Sequence, residues 1–350
     1  MTISDYELHG VRTSSDVPQP RVQNNIPDPG LYDQVAFAQY QHWTDPDGWP
    51  LLSQTSLRAL ALSPAHYWAA ISGAETTAPT PSMEFGTLCH AGILEPDAVQ
   101  SRYVAEPADL LAGIRTAAGH RPKNPGATKE GRARRAAFAS KHREKTVVTP
   151  AEYEKMLAMI LSLRASPRAQ QFMGGGGHAE WSAVWIDPPT RIWCRARLDF
   201  VQAGTRIVDL KTTRSARPAD FQRSIATFAY YRQAAWYLDA AQANGLDVRR
   251  YAIVAVESEP PHGVAAAELS PQALGQGQRE NRRLLQTLHA CRVRDHWPSY
   301  DDPGLWDLPA WARDGCDDPP RPWPPEIATR DLSGAEQDSN RSTEPNGGAR

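Results

Sequence analysis

The chain has no apolar run long enough to span a bilayer, and its first residues lack the basic and apolar segments of a secretion signal. It also lacks a Cys-x-x-Cys pair. The wide spacing of the cysteines disfavours an iron–sulfur cluster and indicates reduced, mostly packed thiols at Cys89, Cys194, Cys291 and Cys316. We therefore expect a cytoplasmic protein with no membrane partner.

A net excess of either charge is also missing, because 38 Lys and Arg stand against 40 Asp and Glu. The net charge of the whole chain does not favour binding to nucleic acid, so any basic surface that does so has to be local. Residues 115–145 hold ten Lys or Arg and two Glu. Such a run is usually a solvated loop and helix face. The alternative is that it follows a phosphate backbone, with the candidate cations Arg132, Arg134, Arg135, Lys141 and Arg143.

The polar, proline-bearing ends suggest three parts. These are a partly flexible N-terminal extension (1–48), one domain (49–316) and a disordered Pro/Gly-rich tail (317–350). Apolar periodicity predicts helices beginning at Ser53, Pro64, Met83, Thr149 and Ser270, and one long helix over 221–243. Alternation and turn residues predict strands over 178–186, 191–200, 205–211, 251–257 and 264–269.

Two of these strands carry acidic residues close together in the chain. Asp209 and Lys211 share one face of their strand with Ile207, and a turn at Gly204-Thr205 could fold the strand ending in Asp199 beside them. Mg²⁺ binds carboxylate oxygens together with waters and phosphate, so the group suits phosphodiester chemistry, with the lysine holding or polarising an attacking water. The alternative is solvated strand-edge charge, since Asp-x-Lys occurs by chance about once in a chain of this size.

Four further residues are candidates with ordinary structural alternatives. Gln233 and Tyr237 lie four residues apart on one helix face, which also fits a tyrosine at a helix–sheet seam. Glu180 lies on the strand expected to pair with that of Asp199, and its alternative is an exposed carboxylate. His90 lies on the predicted helix over 83–95, where a hydrogen-bonded core histidine is the common alternative.

Taken in order, these pieces resemble the PD-(D/E)xK nuclease superfamily, and within it the RecB-like and RecE (exonuclease VIII)-like branch of phage recombination nucleases. The resemblance covers roughly residues 50–300. The matching segments are residues 57–67, Gly86-Thr-Leu-Cys-His90-Ala-Gly-Ile-Leu-Glu95, Glu180-Trp-Ser, Arg197-Leu-Asp199, Val208-Asp209-Leu-Lys211-Thr-Thr and Gln233-Ala-Ala-Trp-Tyr237. The proline of the superfamily's name is absent before Asp199.

The resemblance implies an α/β fold, with a mixed central β-sheet flanked by helices as in restriction endonucleases. It implies one or two Mg²⁺ ions, for which Mn²⁺ can substitute. The implied metal ligands are His90, Asp199, Asp209 and the backbone carbonyl of Leu210. Lys211 is the implied catalytic lysine, and Gln233 and Tyr237 help to position the DNA strand; the role of Glu180 differs between branches.

The function expected from this resemblance is a Mg²⁺-dependent exonuclease acting on linear duplex DNA ends. Its relatives work beside a RecT-like single-strand annealing protein, and some form rings, so a homo-oligomer is plausible. Two alternatives stay open. One is a structure-specific or single-strand endonuclease of the same fold, and the other is a non-catalytic DNA-binding accessory protein.

Overall fold

The computed structural model describes residues 25–73, 80–202, 205–300 and 304–308. The chain divides into residues 1–300 and a second unit, residues 301–350. In that second unit the described residues 304–308 form no helix or strand. Among the described residues no helix is both long and apolar enough to cross a membrane. The expected tail over 317–350, and Cys316, lie outside the described residues.

Eight strands are described. In chain order they are β1 (Gly30–Tyr32), β2 (Tyr103–Ala105), β3 (Thr146–Val148), β4 (Gly177–Ile186), β5 (Trp193–Gln202), β6 (Arg206–Thr213), β7 (Arg250–Glu257) and β8 (Val264–Glu268). Eleven α-helices are described: α1 (Phe37–Gln41), α2 (Gln54–Leu62), α3 (Pro64–Ile71), α4 (Pro81–Leu94), α5 (Pro96–Arg102), α6 (Lys129–Lys141), α7 (Pro150–Ala165), α8 (Pro167–Met173), α9 (Pro218–Thr227), α10 (Tyr230–Ala243) and α11 (Pro271–Arg294).

Six strands form a central sheet in the order β1-β4-β5-β6-β7-β8. All neighbours are antiparallel except β6 and β7, which run parallel because α9 and α10 return the chain between them. A separate parallel pair joins β2 and β3. The predicted mixed α/β sheet flanked by helices is confirmed.

Both faces of the sheet are buried, each under its own helices. The α10-side cluster contains, among others, Leu198, Ile207, Trp236, Tyr251 and Ile253, and the α4-side cluster contains Leu88, Met156, Phe200, Val208, Leu210 and Val254. Burial on both faces explains why residues 251–256 form an unbroken apolar run rather than an alternating one. The predicted separation of Ile207 from Val208 and Leu210 is confirmed.

Side-chain caps mark several of the predicted helix starts. Thr149 and Glu152 form a reciprocal capping box at α7, and the Ser63 and Ser270 side chains accept hydrogen bonds at the first turns of α3 and α11. The apolar pattern after Pro64 predicts that Tyr67 and Trp68 both point inward. Tyr67 is buried, but the prediction for Trp68 was wrong, because this residue is 40% exposed and its ring stacks on that of Trp297.

The single helix predicted over 221–243 is two helices. α9 ends at Thr227, α10 begins at Tyr230, and Ala229 between them has a left-handed φ of 53°. No glycine or proline marks the break, so the amphipathic pattern runs through it. Packing against the sheet decides where α10 lies. The Trp236 Nε1 atom of this helix donates a hydrogen bond to the Arg195 carbonyl of β5.

Residues 25–48, assigned above to an extension, contribute β1 and α1. β1 pairs with β4 at the edge of the sheet. Side chains of this segment form a small core with Leu51 and Val184; the members are Tyr32, Val35, Tyr40 and Trp43. The part of the expected extension before residue 25 lies outside the described residues.

Two glycines of α11 offer a matched test of how closely α10 and α11 pack. A Cβ at Gly277 would overlap the backbone carbonyl oxygen of Tyr231, whereas at Gly275 the nearest atom is Arg279 Nη1 at 3.5 Å. We expect Gly277→Ala to lower the free energy of unfolding by about 1–3 kcal/mol. Gly275→Ala should leave it unchanged or raise it by up to about 1 kcal/mol through helix propensity. Urea denaturation measures both, and equal stability of the two variants would contradict the close packing.

Candidate active site

The site lies where β5 and β6 part. Their antiparallel register runs from Gln202↔Arg206 to Phe200↔Val208 and ends there, so the next two residues, Asp199 and Asp209, are not paired. The Asp199 Oδ2 atom instead accepts a hydrogen bond of 2.9 Å from the Leu210 backbone N–H. A carboxylate thus takes the place of a strand carbonyl, and two acidic residues come together in the buried sheet.

The alternation of side chains reverses at the same level of the sheet. Leu198 belongs to the α10-side cluster but Phe200 to the α4-side cluster, although residues two apart on a strand normally share a face. On β4, Glu180 has a left-handed φ of 55°. Such a conformation costs about 1–3 kcal/mol in a residue with a side chain and is concentrated at functional sites. The irregularity therefore marks the place where the polar side chains meet.

Three potential metal ligands converge from three elements. Ligand atoms of His90 on α4, Glu180 on β4 and Asp199 on β5 all lie within 4.8 Å of one another. His90 Nδ1 is 3.7 Å from Asp199 Oδ2. The Leu210 backbone is a hydrogen-bonding neighbour of the imidazole, so the predicted carbonyl ligand borders the same space.

The electrostatics of this group fit a divalent cation. Burial, and then the nearby Asp209 carboxylate, raise the pKa of Asp199 well above its usual range. Burial lowers the pKa of His90, which favours the neutral imidazole that can bind a metal. Crowded buried carboxylates are stabilised by an added positive charge, and a carboxylate-rich donor set is the kind that hard cations prefer.

Asp209 lies beside this trio rather than within it. Its Oδ1 accepts a hydrogen bond of 2.9 Å from Gln233 Nε2, and its Oδ2 is 2.6 Å from Lys211 Nζ. The side chain is 1% exposed, so both contacts are shielded from water. The structure therefore brings Asp209, Lys211 and Gln233 together, and connects Asp209 to Asp199 through charge.

Lys211 is held as a cation. Burial alone would lower its pKa, but the Asp209 and Asp199 carboxylates outweigh that effect and raise it. The Nζ atom also lies 4.9 Å from the centroid of the Tyr230 ring, within cation–π range. A lysine in this state supplies positive charge and N–H donors rather than a base.

Tyr237 supports Gln233 from the same helix. The two side chains are hydrogen-bonded, and burial raises the pKa of Tyr237 well above its usual range, so the phenol keeps its proton. The Tyr237 ring also packs 6.3 Å from that of Tyr251 on β7. The predicted helix face of Gln233 and Tyr237 therefore points at the acidic residues of the sheet.

Glu180 has a second partner. Arg197 Nε lies 2.5 Å from Glu180 Oε2, and Arg197 Nη1 donates a hydrogen bond of 3.0 Å to the Val35 carbonyl. One oxygen of Glu180 is thus engaged by an arginine, while the carboxylate also belongs to the group of three potential metal ligands. The arginine fixes Glu180 in place and offsets its charge.

The five basic candidates fall outside this cluster, and three of them hold their own part of the chain together. Arg132 Nη1 donates to the Ala127 carbonyl at 2.6 Å. Arg134 binds the Ala112 carbonyl and Glu130, and Arg135 pairs with the buried Glu106. Lys141 and Arg143 have exposed side chains.

Three residues of the site were not identified as site residues from the sequence. They are Arg197, which pairs with Glu180, Tyr230, which lies against Lys211, and Tyr251, whose pKa is raised by burial and then by Asp209. Tyr230 could have been found, because it precedes Gln233 by three residues on the same helix face. Tyr251 could not, because only the pairing of β6 with β7 brings it near Asp209.

Residues 53–303 match the family described as "PDDEXK-like domain of unknown function (DUF3799)". No curated protein is similar enough to this chain to count as a match.

Two solved structures are similar to this chain at low sequence identity. One is a "putative exonuclease" from Eubacterium rectale, 12% identical, with a TM-score of 0.44 over 80% of this chain and 93% of its own. The other, SSO0001, is 16% identical, with a TM-score of 0.24 over 45% of this chain and 72% of its own. Similarity at this level adds nothing to the assignment, which depends on the family match over most of the chain. The chain belongs to this family of PDDEXK-like domains, and its resemblance to the PD-(D/E)xK nuclease superfamily is confirmed.

Proposed function

We propose that this protein is a metal-dependent nuclease that hydrolyses phosphodiester bonds from the ends of linear duplex DNA. The observation that carries the proposal is the meeting of His90, Glu180 and Asp199 beside a buried pair of Asp209 and Lys211. A catalytically inactive nuclease fold that only binds DNA would not require two carboxylates and an ammonium to be buried at one point, since such burial is costly.

The cofactor proposed is Mg²⁺, with Mn²⁺ as a substitute, in one or two copies. His90, Asp199 and Glu180 would hold it, with Asp209 and the Leu210 carbonyl as the adjoining ligands. A divalent cation bound there supplies the charge that activates a water molecule and stabilises the phosphate oxygens.

The protein's own groups then have separate tasks. Lys211, fixed by Asp209 and kept protonated, places a positive charge where negative charge develops on the reacting phosphate. Gln233 and Tyr237 keep Asp209 oriented, because an amide donor holds the carboxylate and a phenol holds the amide. Burial of the group excludes bulk water and strengthens each of these interactions.

The finer assignments depend on the resemblance to RecE-like enzymes. They are a role in phage-type recombination, a RecT-like partner, a homo-oligomer and a cytoplasmic location. The two alternatives above are an endonuclease of the same fold and a DNA-binding accessory protein. They are distinguished by which form of DNA is cut and by whether any DNA is cut at all.

Linear and covalently closed duplex DNA of the same sequence test the reaction. We expect digestion of the linear form with Mg²⁺ or Mn²⁺ and survival of the closed circle. No digestion is expected in EDTA or with Ca²⁺, because Ca²⁺ binds carboxylates in a looser geometry. Gel analysis of end-labelled DNA measures both rates. Equal rates on the two forms would favour the endonuclease, and binding without any cleavage the accessory protein.

Lys211→Ala tests the role of the buried cation. We expect kcat to fall by about 10²–10³-fold, as when one preorganised donor to a developing charge is removed. Lys155→Ala is the matched control, since that lysine pairs with the exposed Glu259. Circular dichroism checks that both variants are folded. A near-normal kcat in folded Lys211→Ala would show that the site is misassigned.

The basic stretch is best tested at Lys141 and Arg143. Replacing Arg132, Arg134 or Arg135 would also remove contacts to Ala127, Ala112 and Glu106. If the two exposed cations contact phosphates, replacing both by Gln should flatten the slope of log affinity against log salt by about 0.9 for each. Affinity in Ca²⁺ at several salt concentrations measures the slope, with the exposed Arg249→Gln as control. An unchanged slope would assign this stretch to a solvated surface.

A further inference from the structure

A series of three aromatic rings runs from the core to the surface beside Lys211. Phe221 is buried, Tyr230 is half-buried, and Phe228 is 43% exposed. The Tyr230 centroid lies 6.2 Å from that of Phe221 and 5.6 Å from that of Phe228, with the last two rings stacked at 30°. The Lys211 ammonium lies 4.9 Å from the Tyr230 centroid. From there the rings of Tyr230 and Phe228 lead to the surface.

The exposure of Phe228 results from the break between α9 and α10. Ala229 is buried and has a left-handed φ of 53° without being glycine, a strained conformation that persists only where the surroundings impose it. Its carbonyl accepts hydrogen bonds from the N–H groups of Arg232 and Gln233, which begins α10. An unbroken helix would present a regular surface here, whereas the break leaves a large apolar ring in water next to the site.

Two cations lie near the Tyr230 ring, together with the Asp209 carboxylate that pairs with Lys211. Arg58 on α2 has an exposed side chain and lies near enough to Tyr230 to oppose the rise in its pKa that burial causes. The Lys211 ammonium lies 4.9 Å from the centroid of the Tyr230 ring. An apolar protein partner gains nothing from two cations at this place, whereas a nucleotide has both a flat base and a charged phosphate.

The distances also fit a nucleotide. The two steps of 4.9 and 5.6 Å place the Phe228 ring within the length of about three stacked nucleotides of Lys211, at roughly 3.4 Å for each. A phosphate held at Lys211 would therefore have a base one to three nucleotides away within reach of the ring. Inside a duplex both faces of each base are covered by neighbouring pairs. A base face is free only at an end, and an unpaired nucleotide can offer it to a ring that lies beside the strand.

We propose that Phe228 and Tyr230 form a stacking site for the base of an unpaired nucleotide at a DNA end, next to the phosphate held at Lys211. This inference rests on the proposed nuclease function and names its substrate more narrowly. The protein acts on ends that carry a single-stranded overhang or have frayed, and the ring holds the strand that is to be cut.

The test compares overhangs that differ only in having bases. Duplexes with a short thymine overhang or the same overhang made of abasic sites, in 5′ and 3′ versions, are titrated in Ca²⁺ by fluorescence anisotropy. We expect the wild type to bind the base-bearing form of one polarity about 5- to 150-fold more tightly, as stacking of a base on an aromatic ring provides. Phe228→Ala should bring this ratio close to one and leave the affinity for the abasic form unchanged.

Two variants serve as controls. Phe228→Tyr keeps a ring at the position and should keep the ratio. Tyr300→Ala removes a ring that is 71% exposed and contacts His66, and it should also keep the ratio. Because Phe228 is already exposed, Phe228→Ala is expected to fold, and Phe228→Leu provides a second ringless variant.

The outcomes separate this inference from the proposed function. Equal binding of base-bearing and abasic overhangs by a wild type that digests linear DNA would overturn the stacking site and leave the nuclease proposal intact. A preference for bases that survives in Phe228→Ala and Phe228→Leu would overturn it as well. If no DNA is bound or cut, the nuclease proposal fails and the stacking site fails with it.

Discussion

The hydrogen bond from the Leu210 backbone to the Asp199 carboxylate is the interaction on which the rest of the site depends. It replaces a ladder bond at the level where β5 and β6 stop pairing, and so admits a charged side chain into a sheet that is buried on both faces. A buried backbone N–H left without an acceptor is expensive, and the Asp199 carboxylate accepts from that of Leu210 where no strand carbonyl does. Every other polar group of the site is arranged around this gap.

Charge balance then decides which groups belong together. Asp209 has a cation of its own in Lys211 and an amide donor in Gln233, and Glu180 has Arg197. Asp199 has a backbone donor but, among the described residues, no cation at such a distance, and burial raises its pKa accordingly. A divalent cation between Asp199, Glu180 and His90 would relieve this imbalance, which is the physical argument for a metal site here.

The helix α10 connects the site to the surface. It delivers Gln233 and Tyr237 to the acidic residues, Tyr230 to Lys211, and Trp236 to the β5 backbone. Its close packing against α11 at Gly277 fixes its position, and the strained Ala229 fixes where it begins. One helix start therefore sets both the geometry around Lys211 and the exposure of Phe228.

The sequence alone determined the strand alternation that puts Asp209 and Lys211 on one face and the starts of most helices, because these depend on neighbours in the chain. The mixed sheet was implied by the resemblance to a known family. The sequence could not determine the break at Ala229, the pairing of Arg197 with Glu180, or the approach of Tyr251 to Asp209. It also could not show that Arg134 and Arg135 hold their own loop, since Glu106 lies nearly thirty residues from Arg135. These contacts join residues far apart in the chain, so only the tertiary packing of helices on the sheet decided them.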